Sequence, residues 1–462
     1  MRFSVLARFR RDSHDSRDSS SGVGGLAEFL RQETTGGKLL LAATALALLW
    51  ANLTPDGYER FWDTELGLGP RWLHLHLAAS AWVSEGLLAV FFFIAGMEVK
   101  RELTVGELAG WRTAVLPLLG AIGGIILPAI ISLAASGGRT AAGGAWAIPV
   151  ATDIAFALGV LALVGSALPP GVRVLLLSLA VIDDLCAIGL VAVLFTHDLN
   201  LVWLVAGLGL CAGYGWAQRR RITPLWVVLP LMVAAWICIH ASGVHATVTG
   251  IVLGLLTPVR TTADEAESPA VRLEHRLHPV SAGVIVPLFA LAAAGIPLAT
   301  AGAAVTDPIA YGTAAGLLIG KTAGILGGAW LAIRLGIGSL PTAVGWREVF
   351  PVAVLGGIGY TVSLLIAQLA TPDRQAAERA STAVLAASLV ASIIAVLLLR
   401  RRSARPGGPV DSAAGRLEGV AWPGPGTRCG IGPRGVPAPR AGRSSARCRE
   451  LQPVTNVPGQ DG

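Results

Sequence analysis

The chain has 462 residues, 53% hydrophobic and 14% charged, with a formal net charge of +7 and a mean hydropathy of +0.64. A soluble domain carries roughly 25% charged residues, so an ordinary globular enzyme is excluded, and fibrous, disulfide-scaffold and nucleic-acid-binding readings fit no better. Repeated apolar stretches of about 20 residues indicate an all-α polytopic membrane protein. The basic excess is local. From Arg400 onward 11 arginines face Asp411, Glu418, Glu450 and Asp461, which accounts for the whole +7 and leaves the rest of the chain balanced.

In chain order, residues 1–37 form a polar segment with Arg2, Arg8, Arg10, Arg11 and Arg17 among serines and aspartates. It has no apolar core followed by a small-residue cleavage site, so no cleaved signal peptide is expected. Residues 38–400 form the membrane domain. Its twelve predicted spans lie at 38–53, 79–99, 114–134, 144–164, 173–195, 200–217, 224–240, 243–257, 279–298, 310–333, 350–370 and 381–399. Between the first two, residues 57–78 alternate apolar and polar side chains around a Gly-Leu-Gly-Pro turn, which predicts an external β-hairpin. A hairpin alone is marginal and wants a partner edge, so a homodimer paired through it is expected. Residues 401–462 are basic and rich in Pro and Gly with few aliphatics, the composition of a disordered tail with at most a weak attraction to anionic lipid.

Loop charges set the orientation. One set of loops carries Lys100, Arg101, Arg112, Arg173, Arg219, Arg220, Arg221, Arg260, Arg272, Arg276, Arg334 and Arg347, and the other only Arg60, Arg71, Arg139, Arg374 and Arg379. By the positive-inside rule both termini are cytoplasmic. Cys186, Cys211 and Cys238 fall in apolar segments and Cys429 and Cys448 in the tail, with no CxxC pair, so these read as reduced thiols rather than a metal or redox site.

Four charges sit inside predicted spans: Asp153, the pair Asp183-Asp184, and Lys321. A charge at a helix centre costs ~2.5–3.5 kcal/mol on insertion scales. With 33 arginines and 3 lysines in the chain, an intramembrane lysine suggests a group that must lose its proton. Ion pairs that lock helices together explain one Asp–Lys couple but leave two carboxylates over. A buried carboxylate surplus must be neutralised by protons or by a metal cation. Exchange of one for the other is cation/proton antiport. Helix breakers add to this: Pro149 precedes Thr152-Asp153, and Gly356, Gly357 and Gly359 interrupt the eleventh span. Interruptions at the second position of two three-helix units point to inverted-topology repeats with two discontinuous helices crossing at the midplane. The opposed half-helix ends carry partial charges that Asp153 and Lys321 could offset.

The segments "AVFFFIAGMEVKREL", "ATDIAFALG", "AVIDDLCAIG", "SGVHATVTG", "RLEHRLHP" and "GIGYTVS" resemble, in order, the motifs of the NhaA family of sodium/proton antiporters, over about residues 35–400. The resemblance implies an electrogenic, pH-regulated Na⁺(Li⁺)/H⁺ antiporter of the inner membrane, working by alternating access, without enzymatic activity or cofactor. It implies that Asp184 and Asp153, with Thr152 nearby, ligate the transported Na⁺ or Li⁺, and that Asp183 pairs with Lys321 in the cation-free state. Hard cations take oxygen ligands, and a carboxylate can hold either the cation or a proton. Both aspartates, or Asp184 together with Lys321, could carry the protons. The positions of Glu98, Glu102, Glu274 and His278 correspond to a pH-responsive region, although ordinary interfacial charge explains each of them equally well. Glu98 and Glu102 share a helix face. His275 adjoins Glu274, and His245 reads as a packing histidine.

Three positions depart from the family pattern: Glu85 in place of Asp, Cys186 in place of Gly, and Val271 where Lys is common. A proton-coupled symporter of an organic solute would want a roomier, aromatic-lined pocket than the small aliphatic residues around Asp153 and Asp183 offer. An intramembrane aspartyl protease would need Tyr-Asp and Gly-x-Gly-Asp segments, and neither occurs. A purely structural membrane scaffold leaves the carboxylate surplus unexplained.

Overall fold

Gly and Pro punctuate the apolar runs of this chain, and they decide where its helices stop and how closely they pack. A computed structural model describes residues 33–403 apart from 71–72, 165–167, 197, 223, 263–264, 342–343 and 372. The segment 1–32, most of the predicted tail, Arg71, Cys429 and Cys448 lie outside the described residues.

Helix α1 (Glu33–Leu53) is followed by a short helix α2 (Pro55–Trp62), then β1 (Glu65–Gly67) and β2 (His76–Ala78). The long helix α3 (Ala79–Val105) leads to α4 (Trp111–Ala135), a 3-10 stretch Arg139–Val150, and α5 (Ile154–Val164). Next come α6 (Pro170–Leu194), α7 (Leu201–Arg219), α8 (Leu225–Ala241), α9 (Thr247–Leu256), α10 (Pro269–Ala293) and the short α11 (Leu298–Ala304). The chain continues through α12 (Pro308–Arg334), α13 (Trp346–Leu355), α14 (Tyr360–Ala370) and α15 (Arg374–Ser403).

Among the described residues, nine helical segments are long and apolar enough to cross a membrane, and α13 with α14, bent by 44° at their break, make a tenth. This is a multi-pass membrane protein with a two-stranded antiparallel sheet. The strand register is Glu65↔Ala78, Leu66↔Leu77 and Gly67↔His76.

The predicted hairpin is shorter than 57–78. Pro55 at the first helical position and the spacing of Tyr58, Phe61 and Trp62 turn its first residues into α2, which buries Tyr58 and Trp62. The predicted span 279–298 starts ten residues earlier, at Pro269, because Ser268 caps the helix through the Val271 N–H. The predicted span 243–257 is a helix of only 10 residues: Gly243, at φ +85°, lies in the turn that follows α8. The last predicted span, 381–399, is the middle of a 30-residue helix.

Two helix pairs pack closest. A Cβ on Gly250 or Gly254 of α9 would overlap the backbone of α3 at Ala89 and Phe93, and one on Gly324 or Gly328 of α12 would overlap α4 at Gly123 and Leu119. Lipid tails supply no hydrophobic drive between helices, so small residues that let backbones approach take over that role. The α4–α12 contact brings Lys321 into the interior beside Gly124. The outer faces remain apolar, with Val193, Val202 and Trp226 almost fully exposed.

Candidate ion-exchange site

Two interrupted segments meet in the buried interior. The 3-10 stretch ends at Val150, Ala151 is extended, and residues 151–153 are outside any helix before α5 begins. In the other segment, residues 356–359 separate α13 from α14. The two breaks are joined through the backbone, the Asp153 N–H donating to the Ile358 carbonyl at 2.6 Å.

Asp153 is 2% exposed, and both of its oxygens are engaged. Oδ1 accepts the Phe156 N–H at 2.9 Å and Oδ2 the Thr361 N–H at 3.1 Å. One carboxylate therefore caps the first turns of α5 and α14 together, offsetting the positive ends of two half-helices. Thr152 points the other way. Its Oγ1 lies 2.6 Å from Asp183 Oδ2 and 2.8 Å from the carbonyl of Gly356, where α13 ends, so one hydroxyl proton serves two acceptors. Next to this backbone bond the rings of Phe156 and Tyr360 stack at 5.6 Å, and the Tyr360 hydroxyl bonds Thr44 of α1.

Asp183 and Asp184 are adjacent on α6, and successive helical residues point about 100° apart. Asp183 Oδ2 takes the ammonium of Lys321 as well as the Thr152 hydroxyl, and its Oδ1 has no hydrogen-bond partner. Lys321 is wholly buried and ends a π-helical turn, Gly316–Lys321, a distortion that frequently marks functional positions. Asp184, 2% exposed, also leaves Oδ1 without a partner, but it lines a cavity of about 300 Å³.

That cavity joins Asp184 to Glu98, Arg101, Arg173, Glu274 and His278. Arg101 of α3 donates to Glu274 of α10 at 2.6 Å and so ties two walls together. Glu102 stands apart from the cavity and accepts from Ser178 of α6 at 3.2 Å. Of the residues singled out from the sequence, the structure thus groups Asp183, Lys321 and Thr152 in one cluster. It groups Asp184, Glu98, Glu274 and His278 in another, and sets Asp153 at the ends of α5 and α14.

Asp184, Asp153 and Thr152 face different partners: Asp184 the cavity, Asp153 the two helix ends, and Thr152 Asp183 and the Gly356 carbonyl. Among the described residues no three His, Cys, Asp or Glu side chains converge to hold a metal ion. Sequence reasoning missed Arg173 as a cavity residue. It lies near the start of α6, ten residues before Asp183, and nothing in its neighbours distinguishes it from an ordinary loop arginine.

Residues 27–399 match the family described as Na⁺/H⁺ antiporter 1. The chain belongs to the NhaA family of Na⁺/H⁺ antiporters. It is 50% identical over 443 residues to Na(+)/H(+) antiporter NhaA 2 of Frankia alni, covering 94% of this chain and 90% of that one. To Na(+)/H(+) antiporter NhaA 1 of Saccharopolyspora erythraea it is 52% identical over 401 residues, 86% of this chain and 97% of the relative. To Na(+)/H(+) antiporter NhaA 2 of Rhodococcus jostii it is 53% identical over 383 residues, covering 82% and 93%. NhaA proteins are transporters rather than enzymes and need no cofactor, Na⁺ and H⁺ being the transported substrates.

Of the departures from the NhaA pattern, Cys186, Val271 and Glu85, only Cys186 lies by the buried Asp183–Lys321 pair. Cys186 is half-buried within electrostatic reach of Asp183 and Lys321. Val271 lies in the capped first turn of α10. Glu85 pairs with His240 at 2.7 Å. His245 is buried, with Nδ1 2.7 Å from the Thr247 hydroxyl, the environment of a packing histidine. Outside the spans, burial raises the Tyr58 hydroxyl above its ordinary pKa, and its proton is shared between the Leu291 and Ala292 carbonyls, both 2.8 Å away.

Proposed function

We propose that this chain extrudes Na⁺ or Li⁺ across the inner membrane in electrogenic exchange for external protons, by alternating access around Asp184. The observation that carries the reading is the position of Asp184: a buried carboxylate with an unpartnered oxygen on the wall of a cavity that also holds Glu98, Glu274 and His278. A carboxylate there must be satisfied by a proton or by a cation, and the cavity gives both a route to it. Asp184 is the primary ligand. Asp153 and Thr152 join it when the cation enters, which requires Asp153 to give up at least one helix-end N–H and Thr152 to turn from Asp183.

Asp183 and Lys321 hold each other in the cation-free state. When Na⁺ binds, protons leave from both aspartates, or from Asp184 and Lys321, and two protons per cation make the exchange electrogenic. Glu98, Glu102, Glu274 and His278 set its pH response. The Arg101–Glu274 pair supports this assignment, because it makes the cavity wall depend on charge.

The architecture that accompanies this function has twelve spans. The helices Leu225–Ala241 and Thr247–Leu256 complete the number as shorter members. The two interrupted segments are the discontinuous helices of an inverted-topology repeat, crossing at the midplane. Both termini are cytoplasmic, residues 1–37 and 401–462 flank the antiporter domain 38–400, and β1 and β2 pair edge to edge with a second copy to make a homodimer in the lipid bilayer. No nucleic acid is involved.

The test is dye-reported ΔpH in everted vesicles from antiporter-deficient cells, with NaCl, LiCl or KCl added across roughly pH 6.5 to 8.5, spanning the ordinary imidazole range. Dequenching by Na⁺ and Li⁺ that vanishes in Asp184→Asn is expected. No response to any cation from folded protein would bring an organic-solute symporter forward.

A further inference from the structure

His240 lies in the last turn of α8, against the strand pair. Its Nδ1 is 2.7 Å from Glu85 Oε2, in the π-helical turn Trp82–Leu87 of α3, and its Nε2 is 3.2 Å from the carbonyl oxygen of His74, in the loop between β1 and β2. The surroundings fix the ring. Trp236 stacks on it at 5.6 Å with planes 5° apart and donates its indole N–H to the Glu85 carbonyl at 2.9 Å. Trp82 stacks in turn on Trp236 at 5.9 Å and donates to the Leu66 carbonyl of β1 at 2.9 Å. His74 itself has φ +57°, a backbone conformation few non-glycine residues adopt, and in it the loop presents its carbonyl to the imidazole. The charged and titratable groups facing His240 are Glu85 from α3 and His245 from the turn after α8.

A carbonyl oxygen only accepts, and so does an ionised carboxylate, whereas a neutral imidazole carries a single N–H. Both contacts of His240 are hydrogen bonds only when both ring nitrogens are protonated. We propose that His240 is a protonation-controlled clasp that fixes the strand pair to α3 and α8 as imidazolium and releases it as neutral imidazole. On losing its proton to solvent the ring keeps one N–H. Glu85 retains it, because a bond to a charged acceptor is the stronger and here also the shorter. The His74 carbonyl is the partner let go, and the Trp82–Leu66 bond remains as the hinge on which the loop can swing. The clasp makes the order of this loop depend on the pH at one face of the bundle, and it does not rest on the transport reading.

The test is hydrogen–deuterium exchange of the full-length protein in nanodiscs, from about pH 5 to about pH 9, either side of the ordinary imidazole value near 6.5. Rates for residues 65–78 are corrected for the intrinsic rate at each pH. Protection in the wild type is expected to fall by about tenfold from the acid to the alkaline limb, the scale of one charge-assisted hydrogen bond. His240→Phe keeps a ring against Trp236 but removes both donors, and its protection should be low and flat. Histidine-selective ¹⁵N spectra of the wild type give a second reading, with two protonated ring nitrogens on His240 at acid pH and one at alkaline pH. Protection that does not change with pH in the wild type, a pH dependence that survives in His240→Phe, or a single protonated nitrogen throughout would each overturn the clasp. Transport is not read in any of these, so a failed antiporter reading cannot be mistaken for a failed clasp.

Discussion

The Asp183–Lys321 pair and the Arg101–Glu274 pair are both carboxylate–cation contacts between helices, yet they operate in different media. Lys321 is wholly buried and Asp183 nearly so, while the Arg101 side chain keeps 36% of its surface and Glu274 keeps 13%. In the dry pair each charge depends on the other, because removing one leaves a desolvated ion behind. At the cavity rim water can replace either partner, so the pair has little net worth and is free to change. The lesson is that fixed charge belongs in the dry interior beside the two breaks, and adjustable charge belongs where water reaches.

The variants that break this comparison range from total to slight effects. Asp184→Asn should abolish cation-dependent dequenching in vesicles while purified protein keeps its melting temperature, since Asn fills the same space without holding a cation–proton exchange. Lys321→Met strands Asp183 and should destabilise the bundle by about 3–5 kcal/mol. The double variant Lys321→Met, Asp183→Asn should recover most of that loss in detergent melts. If single and double variants melt alike, the two groups do not depend on each other.

Asp153→Asn removes the charge that faces two helix N-termini but keeps an acceptor, and should cost about 1–2 kcal/mol. Chemical denaturation of the reconstituted protein reads this effect, and an unchanged midpoint would mean that the helix ends are satisfied some other way. Glu274→Gln at the rim should change stability by less than about 1 kcal/mol. Its expected effect is a displaced pH profile of exchange, read in the same vesicles as Asp184→Asn.

Much of the central site was legible in the sequence because charge in an apolar span is costly and therefore conspicuous. Asp153, Asp183, Asp184 and Lys321 stand out in "ATDIAFALG", "AVIDDLCAIG" and "LLIGKTAG" for that reason alone. The breaks at Thr152-Asp153 and Gly356–Gly359 were legible too, because Pro and Gly change what a backbone can do wherever they fall. The short helix α2 and the early start of α10 were less so. In both a polar, proline-started helix is stabilised by contacts that local composition does not reveal, such as Tyr58 against the Leu291 and Ala292 carbonyls. Glu85 stood out only as a departure from the family pattern; nothing in the sequence joined it or His74 to His240, 155 and 166 positions away.

The sequence by itself determined that this protein lives in a membrane, which segments are apolar enough to sit there, and which few charges must have a purpose, because each of these follows from the free energy of transferring single residues. The tertiary structure decided who faces whom. Two adjacent aspartates with the same chemistry separate into one that answers Lys321 and one that answers the cavity, because a helix turns its neighbours to different sides and only packing says what waits on each side.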